Sequence, residues 1–329
     1  MSMKIKYWGV RGSLPAAPTP EQWRSHFSNL MHQFFKSGHK DATEIKEFLN
    51  KARVTQIGGF GTATTCAEIT TPKTQIIIDA GTGLREMSAD LMKGPAGKGQ
   101  AEIHIFMTHF HWDHMLGIPF FAPHFIKGNK IHYYAVQDDL EKVVKIKFTK
   151  PMFPVAYENL PCTLIYHRLE PRKPVTINDL KITPYQLDHP DPCWGYKVEC
   201  NGKVYAHCVD TEGTRVSAEA LGPDLPLYQG VDMMFFDAQY TLPELAEKAN
   251  WGHSASQIGL DLAFREKMKC VVFAHHDPGA DANQIFGLEK ETREYYDWKI
   301  KTSSANNITL SGVKWLFAHE GLVIDFDNF

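Results

Sequence analysis

Hydrophobic and polar residues alternate with period two in short segments along the first third of the chain. This pattern predicts strands at residues 4–10, 65–70, 74–79 and 102–108. The run Ile76-Ile77-Ile78 contains no polar residue, which is typical of a strand buried on both faces. A helix is expected to begin near Leu84, directly after the glycine-containing segment 79–83.

Between the first two strands, residues 14–56 change from a strand pattern to a helical one. Three prolines occur near the start, and apolar residues then recur three and four positions apart over 21–37 and 42–52. We interpret residues 14–56 as a helical insertion into a single domain that spans residues 1–329. The insertion is expected to pack on the surface, to cover a cleft or to build an interface, and the last case would suit a homodimer.

The second half of the chain repeats this strand-rich pattern. Strands are predicted at residues 175–177, 181–187, 195–200, 203–210, 231–237, 270–274 and 315–326, and helices at 255–267 and 281–299. Asn201-Gly202 is a strong signal for a two-residue hairpin turn, and Ser254 with Gln257 is expected to form a capping box. Two similar halves that face each other predict an α/β sandwich, in which two mixed sheets pack face to face with helices outside.

Composition places the chain among globular proteins without a global basic surface. It has 329 residues, 43% hydrophobic and 22% charged, and a net charge of −3. No apolar run approaches the roughly 20 residues of a membrane helix, and the N-terminus shows no signal peptide, so we expect a cytoplasmic protein with no membrane partner. Sixteen histidines against six cysteines indicate chemistry by imidazole rather than thiolate.

The strongest local signal follows the strand predicted at 102–108, where three histidines and one aspartate fall within six positions. They are His109, His111, Asp113 and His114. The spacing of two places His109 and His111 on one side of an extended segment, whereas Asp113 and His114 fall on the turn into a helix and can face a second ion. Imidazole and carboxylate are common metal ligands, so the motif predicts a metal-binding loop at a strand end.

The order His-x-His-x-Asp-His resembles the signature of the metallo-β-lactamase-fold superfamily, and three later segments match the same family pattern. These are Leu187-Asp188-His189-Pro190, Val209-Asp210-Thr211 and Phe273-Ala274-His275-His276-Asp277-Pro278. The resemblance implies a four-layer αβ/βα sandwich with a dinuclear metal site. In the implied scheme, His109, His111 and His189 hold one ion, Asp113, His114 and His275 hold the second, and Asp210 bridges them. The register of the last segment favours His275 over its neighbour as the ligand.

All of the implied ligands are nitrogen or oxygen donors. Such donors suit two zinc ions, which we expect, and also manganese or iron. No cysteine falls on a ligand motif, which disfavours the zinc–thiolate classes of the superfamily. Two ions about 3.5–4 Å apart allow a metal-bridging hydroxide to attack a phosphodiester, and in this superfamily also a lactam, lactone or thioester.

Three further segments favour a phosphodiester as the substrate. Trp251-Gly252-His253-Ser254 resembles the extra histidine motif of the RNase Z and phosphodiesterase branch, which makes His253, with Asp113, a predicted catalytic residue. The opening segment 8–13, together with the glycine-rich segment 58–66, resembles the bacterial cyclic-phosphodiesterase-like subfamily. The candidate substrate contacts are His253, Tyr240, which follows the strand 231–237, and Trp194.

The segment between residues 114 and 189 bears on the size of the substrate. RNase Z proteins carry a long basic arm, rich in glycine and proline, that grips tRNA, and no such arm is evident there. With the net negative charge, this argues against a large nucleic acid and for a small phosphodiester, including cyclic ones. The alternatives are a carboxyl-ester, lactone or thioester hydrolase of the same fold, and a non-hydrolytic metal-binding sensor or interaction protein.

Overall fold

The computed structural model describes residues 3–306 and 310–328. The strands are β1 (Lys4–Gly9), β2 (Cys66–Thr70), β3 (Gln75–Ile78), β4 (Glu102–Phe106), β5 (Lys130–Ala135), β6 (Thr163–Arg168), β7 (Val175–Ile177), β8 (Leu180–Gln186), β9 (Trp194–Cys200), β10 (Lys203–Cys208), β11 (Met233–Asp237), β12 (Cys270–Ala274), β13 (Lys314–Phe317) and β14 (Val323–Asp325). The α-helices are α1 (Pro20–Lys36), α2 (Ile45–Lys51), α3 (Val54–Gly58), α4 (Leu84–Leu91), α5 (Trp112–Met115), α6 (Leu140–Ile146), α7 (Ala218–Leu221), α8 (Leu242–Glu247), α9 (Ser256–Arg265) and α10 (Ala282–Ala305).

The strands form two mixed seven-stranded sheets, which confirms the predicted α/β sandwich. The first sheet has the order β14-β1-β2-β3-β4-β5-β6, and the second has the order β13-β12-β11-β10-β9-β8-β7. Strands β3 to β6 are parallel to one another, as are β10 to β13, whereas the remaining pairs are antiparallel. Each sheet therefore has a parallel half whose strands all end at the same edge.

Three hydrophobic clusters fill the spaces between four layers. The central cluster joins the inner faces of both sheets, where Tyr7 of β1 stacks on Phe235 of β11 with ring centroids 4.4 Å apart. A second cluster packs α4 onto the first sheet through Leu84. A third packs α9 onto the second sheet through Leu260. Helices outside and sheets inside give the four-layer architecture, since each sheet buries both of its faces.

Three local predictions from the sequence are wrong. The segment 315–326 is two strands, β13 and β14, which lie in different sheets because the turn at Gly321 (φ +79°) redirects the chain. Helix α10 continues to Ala305, six residues beyond the predicted end. The predicted capping box at Ser254 is absent from α9, whose N-cap is Ala255. The Ser254 hydroxyl instead donates to the backbone oxygen of Glu212.

The segment 14–56 contains α1, α2 and the first residues of α3, which continues to Gly58. Helix α1 begins after a capping box formed by Thr19 and Gln22. Its outer face carries Phe27, Met31 and Phe35, which are all more than half exposed. An apolar cavity of about 320 Å³ lies between α1 and α2. In the part of the chain that the structure describes, no helix is both long and apolar enough to cross a membrane.

Candidate metal centre

The seven predicted ligands lie in segments that follow strands, and Asp113 and His114 stand on the short helix α5. The His-x-His-x-Asp-His segment comes after β4, His189 after β8, Asp210 after β10 and His275 after β12. Because β10 and β12 are parallel members of one sheet, Asp210 and His275 reach the same edge. Both residues have a positive φ of 62°. Residues other than glycine rarely adopt this backbone conformation, and where they do it often marks a functional site.

The structure brings the seven residues together in two groups that share one carboxylate. The first group is His109, His111, His189 and Asp210, and the second is Asp113, His114, Asp210 and His275. Within each group, one nitrogen or oxygen atom of every residue lies within 4.8 Å of those of the others. Asp210 Oδ2 lies 3.4 Å from His109 Nε2, and Asp210 Oδ1 lies 2.9 Å from His275 Nε2. Asp210 thus presents one oxygen to each group.

Several atoms in this cluster are buried without a hydrogen-bond partner. They are Nε2 of His109, His114 and His189 and both carboxylate oxygens of Asp210. Such orphaned polar atoms are rare because they carry the full cost of desolvation, and several pointing into one place are the arrangement that a cation satisfies. The residues therefore fit two divalent ions with nitrogen and oxygen ligands.

The carboxylates and imidazoles of the cluster shift the pKa values of one another. Burial disfavours the imidazolium of His275, but the carboxylates of Asp210 and Asp113 outweigh it and raise the pKa of His275 to about 10. The same carboxylates raise the pKa of His114 well above its ordinary value against burial. Burial lowers the pKa of His109 and of His189, so both imidazoles are neutral. Two buried carboxylates thus require positive charge, which protons supply in the absence of metal.

Asp79 orients the imidazoles of the His-x-His-x-Asp-His segment through hydrogen bonds. It follows β3, has φ +64°, and is fully buried. Its Oδ2 accepts from His114 Nδ1 at 2.8 Å, and it also accepts from the Thr108 hydroxyl, which in turn accepts from His109 Nδ1 at 3.1 Å. These bonds leave Nε2 of both imidazoles for an ion. Sequence reasoning missed Asp79, although an aspartate at the end of a buried strand was a usable signal.

Two other polar residues fix the remaining imidazoles. Asp191 accepts from His111 Nε2 at 2.8 Å through its carboxylate and from His189 Nδ1 at 2.9 Å through its backbone oxygen. Gln239 Oε1 accepts from His275 Nδ1 at 2.9 Å. The ring nitrogens that these bonds do not use are Nδ1 of His111 and Nε2 of His189 and His275. Nε2 of His275 contacts Asp113 Oδ2 at 3.1 Å and Asp210 Oδ1 at 2.9 Å within the cluster. Neither Asp191 nor Gln239 was predicted, because their roles depend on contacts across the fold.

Two glycines allow the backbone to approach the imidazoles. A Cβ at Gly252 would lie 2.5 Å from His189 Nε2, and a Cβ at Gly12 would press on the His275 ring and lie 2.6 Å from Gln239 Oε1. Next to Gly12, the Ser13 backbone amide donates to Asp113 Oδ2 at 2.8 Å. The opening segment of the chain therefore forms part of the wall of the site.

His253 lies beside the second group. Its Nδ1 donates to Asp237 Oδ2 at 2.9 Å, and its ring centroid lies 4.8 Å from that of His275. The side chain of His253 is 10% exposed. Asp237 ends β11, between the strands that carry Asp210 and His275. An imidazole held by a buried carboxylate beside this group of histidines and aspartates can donate or accept a proton there.

The remaining candidates are buried side chains outside the two ligand groups. Tyr240 is buried, with its ring edge against His253, and Trp194 lies in the central hydrophobic cluster. Their role as substrate contacts stays a prediction. His276 turns away from the cluster, and its Nε2 donates to the backbone oxygen of Ala318 at 2.8 Å. Its place in the cluster is taken by His275, as the register favoured.

Comparison with known proteins agrees with this architecture. A family model described as a beta-lactamase superfamily domain matches residues 74–276. A ribonuclease Z of Ligilactobacillus salivarius (strain UCC118) is 32% identical over 129 residues, which make up 38% of each chain. The match therefore spans well under half of that relative.

Two solved structures superpose over nearly the whole chain. The metallo-beta-lactamase fold protein YhfI from Bacillus subtilis is 15% identical, with a TM-score of 0.62 and 98% of each chain covered. A diphosphatase from the PhnP family is 16% identical, with a TM-score of 0.57, and covers 99% of this chain and 98% of its own. At such identities these likenesses show a shared fold.

Proposed function

The chain belongs to the beta-lactamase superfamily, and we propose that it is a dinuclear metal-dependent hydrolase that cleaves a small phosphodiester. The observation that carries this proposal is the pair of four-residue groups that share Asp210, with the Asp237–His253 pair at their side. We propose the metal ligands as predicted: His109, His111 and His189 for one ion, Asp113, His114 and His275 for the other, and Asp210 for both.

The donor set indicates the kind of metal and its chemical contribution. Imidazole and carboxylate suit zinc, our first choice, as well as manganese or iron. Two divalent ions at these positions would supply Lewis acidity toward a phosphoryl oxygen and a water whose pKa falls from about 15.7 towards 7. Asp113 would contribute its Oδ2, which the Ser13 amide holds in place. Asp79 and Gln239 would keep the imidazoles of His114 and His275 correctly oriented.

His253 is the proposed proton donor to the leaving oxygen. Asp237 accepts its Nδ1 hydrogen, so Nε2 is the atom that exchanges a proton with the substrate. In its imidazolium form, His253 can protonate an alkoxide as it departs. Such a group is needed where an alcohol leaves a phosphodiester, and this favours phosphodiesters over more reactive thioesters.

The proposed substrate is small. Residues 114–189 contain β5, α6 and β6, which pack into and against the first sheet, and β7 and β8, which belong to the second sheet. These elements lie within the layers of the fold rather than extending from them. The net charge of −3 also disfavours a large nucleic acid. The single-domain organisation with an insertion at residues 14–56, and a homodimer built by that insertion, stay predictions.

Hydrolysis of bis(p-nitrophenyl) phosphate by protein of known metal content tests this proposal. We expect turnover with about two metal ions per chain, and its loss in Asp113→Ala. Asp138→Ala is the matched control, because Asp138 is an exposed aspartate paired only with Arg168 on the surface. Two bound metals without turnover would refute the phosphodiesterase and direct attention to lactones, thioesters and a sensor role.

A further inference from the structure

The exposed side of the helical insertion carries an apolar row next to an apolar groove. Phe27, Met31 and Phe35 form the row along α1, and they follow one another at intervals of about one helical turn. The groove is the cavity of about 320 Å³ between α1 and α2, and its apolar lining includes Phe34, Phe35, Ile45 and Phe48. Phe27 precedes the groove along α1, and its ring stacks on Trp23 with centroids 5.5 Å apart. One end of the row is therefore a projecting ring, and the other end borders a hole.

The row is symmetric about Met31. Phe27 and Phe35 lie four residues to either side of it, which is roughly 6 Å along the helix axis in each direction. When two copies of α1 lie antiparallel with their Met31 side chains facing, Phe27 of each copy meets the end of the other helix that borders the groove. A single two-fold axis thus places both Phe27 rings at both grooves, as an isologous interface requires.

The groove has room for the incoming ring. A cavity of about 150 Å³ already holds a benzene molecule, and this groove measures about 320 Å³. Its apolar lining would bury the Phe27 ring against aromatic and aliphatic side chains.

Charged residues at the two ends of α1 favour the same arrangement. Glu21 and Arg24 lie at the start of the helix, whereas Lys40 and Asp41 line the groove beyond its end. In the antiparallel arrangement, Lys40 approaches Glu21 of the second copy and Asp41 approaches Arg24 of the second copy. A parallel arrangement would instead bring like charges together, which is unfavourable.

The exposed apolar area matches what a stable dimer needs. Phe27, Met31, Phe35 and Ile45 are each between 46% and 61% exposed. At roughly 200 Å² for a fully exposed side chain of this size, the four expose about 450 Å². An interface of standard size buries about 800 Å² on each partner, of which about 65%, or roughly 500 Å², is apolar in homodimers.

We infer that a second copy of this chain covers the insertion, in a two-fold dimer that packs α1 antiparallel on α1 of the second copy. Phe27 of each copy occupies the groove of the other. This inference deepens the homodimer prediction by naming the interface, and it does not depend on the proposed hydrolysis.

Sedimentation velocity over a range of protein concentrations measures the dissociation constant of the dimer. In Phe27→Glu we expect this constant to rise by about 100-fold or more, because every dimer would bury the introduced charge in two apolar grooves. Trp298→Glu is the matched control, since Trp298 is an aromatic residue of similar exposure (55%) on α10. It should leave the dissociation constant unchanged. Equal helical circular dichroism in all proteins shows that the variants fold.

A charge exchange tests the antiparallel arrangement. Lys40→Glu and Glu21→Lys should each weaken the dimer, and the double variant should recover most of the loss, because opposite charges then face each other again. No recovery in the double variant would overturn the arrangement.

Three outcomes would overturn the second copy as the occupant of the groove. They are a monomer at every concentration, a dimer that Phe27→Glu leaves intact, and a monomer that carries a co-purified apolar molecule in native mass spectrometry. The last result would assign the groove to a small ligand. None of these measurements uses turnover, so failure of the dimer leaves the proposed hydrolase untouched, and an inactive protein can still confirm the dimer.

Discussion

Asp79 and His114 form a fully buried pair in which the imidazole Nδ1 donates to the carboxylate at 2.8 Å. The pair fixes the tautomer of His114 and directs its Nε2 toward Asp113 and Asp210. A carboxylate behind a ligating imidazole also makes the imidazole more basic. Asp79 therefore supports the second metal position although it does not reach it.

Replacing Asp79 with asparagine should weaken metal binding. The amide keeps the size of the side chain but removes the charge behind His114, so we expect affinity for one of the two ions to fall by about 10- to 100-fold. Competition with a chromophoric chelator measures this directly. Asp90→Asn, at an exposed aspartate that contacts lysines, is the control. Equal metal retention in both variants would show that Asp79 serves folding alone.

Gly252→Ala tests the close approach of the backbone to His189. The added methyl group would lie 2.5 Å from His189 Nε2, at a position with φ +88°. We expect His189 to be displaced and the first ion to be lost. Gly230→Ala separates the two causes, because Gly230 also has positive φ (+65°) but has open space around it. Metal content should fall only in Gly252→Ala, and an equal fall in both variants would contradict the steric argument.

His253→Ala should lower kcat more for poor leaving groups than for good ones. If His253 protonates the leaving oxygen, its loss costs about 10²- to 10⁴-fold for an alkyl ester and much less for a p-nitrophenyl ester. The comparison uses a series of methyl phosphodiesters whose leaving groups differ in pKa, from p-nitrophenol in methyl p-nitrophenyl phosphate to methanol in dimethyl phosphate. Asp237→Asn should follow the same trend more weakly. A loss that is equal for all leaving groups would assign His253 to substrate binding instead.

His124 should make the metal-free protein less stable in mild acid. It is fully buried, donating from Nδ1 to Ile118 O and accepting at Nε2 from the Tyr133 hydroxyl, and burial lowers its pKa to about 3. The pKa of a histidine in the unfolded chain is about 6.5. At a pH between this value and about 3, the unfolded chain therefore binds a proton at His124 that the folded chain does not bind. The stabilisation is therefore complete above about pH 6.5 and is lost as the pH falls towards 3.

Urea unfolding of chelated protein at pH 7 and pH 5 measures this effect. Between these two pH values, the free energy of unfolding of His124→Phe should fall by about 2 kcal/mol less than that of the unmodified protein, whatever its absolute stability. His32→Ala, at an exposed histidine of α1, should behave like the unmodified protein. Identical pH dependence in His124→Phe would show that another group governs the acid sensitivity.

Most strands and the clustered ligands could be predicted because their signals lie in short, continuous stretches of the sequence. Strands such as β9 and β10 have clear alternation and a defined turn at Asn201-Gly202, where both residues have positive φ. The strands β5 and β6 and the helix α6 were not predicted. The metal motif is also visible in the sequence, because four of the seven residues occur within six consecutive positions.

The residues that orient the ligands could not be predicted in this way. Asp191 follows His189 by two positions but its carboxylate binds His111, 80 positions earlier. Gln239 and His275 meet because β11 and β12 are neighbours in one sheet. Such contacts depend on the tertiary fold, whereas the sequence pattern records only separation along the chain.

Activity measured against added metal tests the central claim most directly. Metal-free protein is titrated with zinc while bis(p-nitrophenyl) phosphate hydrolysis and protein-bound zinc are measured together. A dinuclear hydrolase predicts that turnover rises with the second equivalent and reaches its plateau at about two ions per chain. A plateau reached at one ion, or two bound ions with no turnover, would contradict the account.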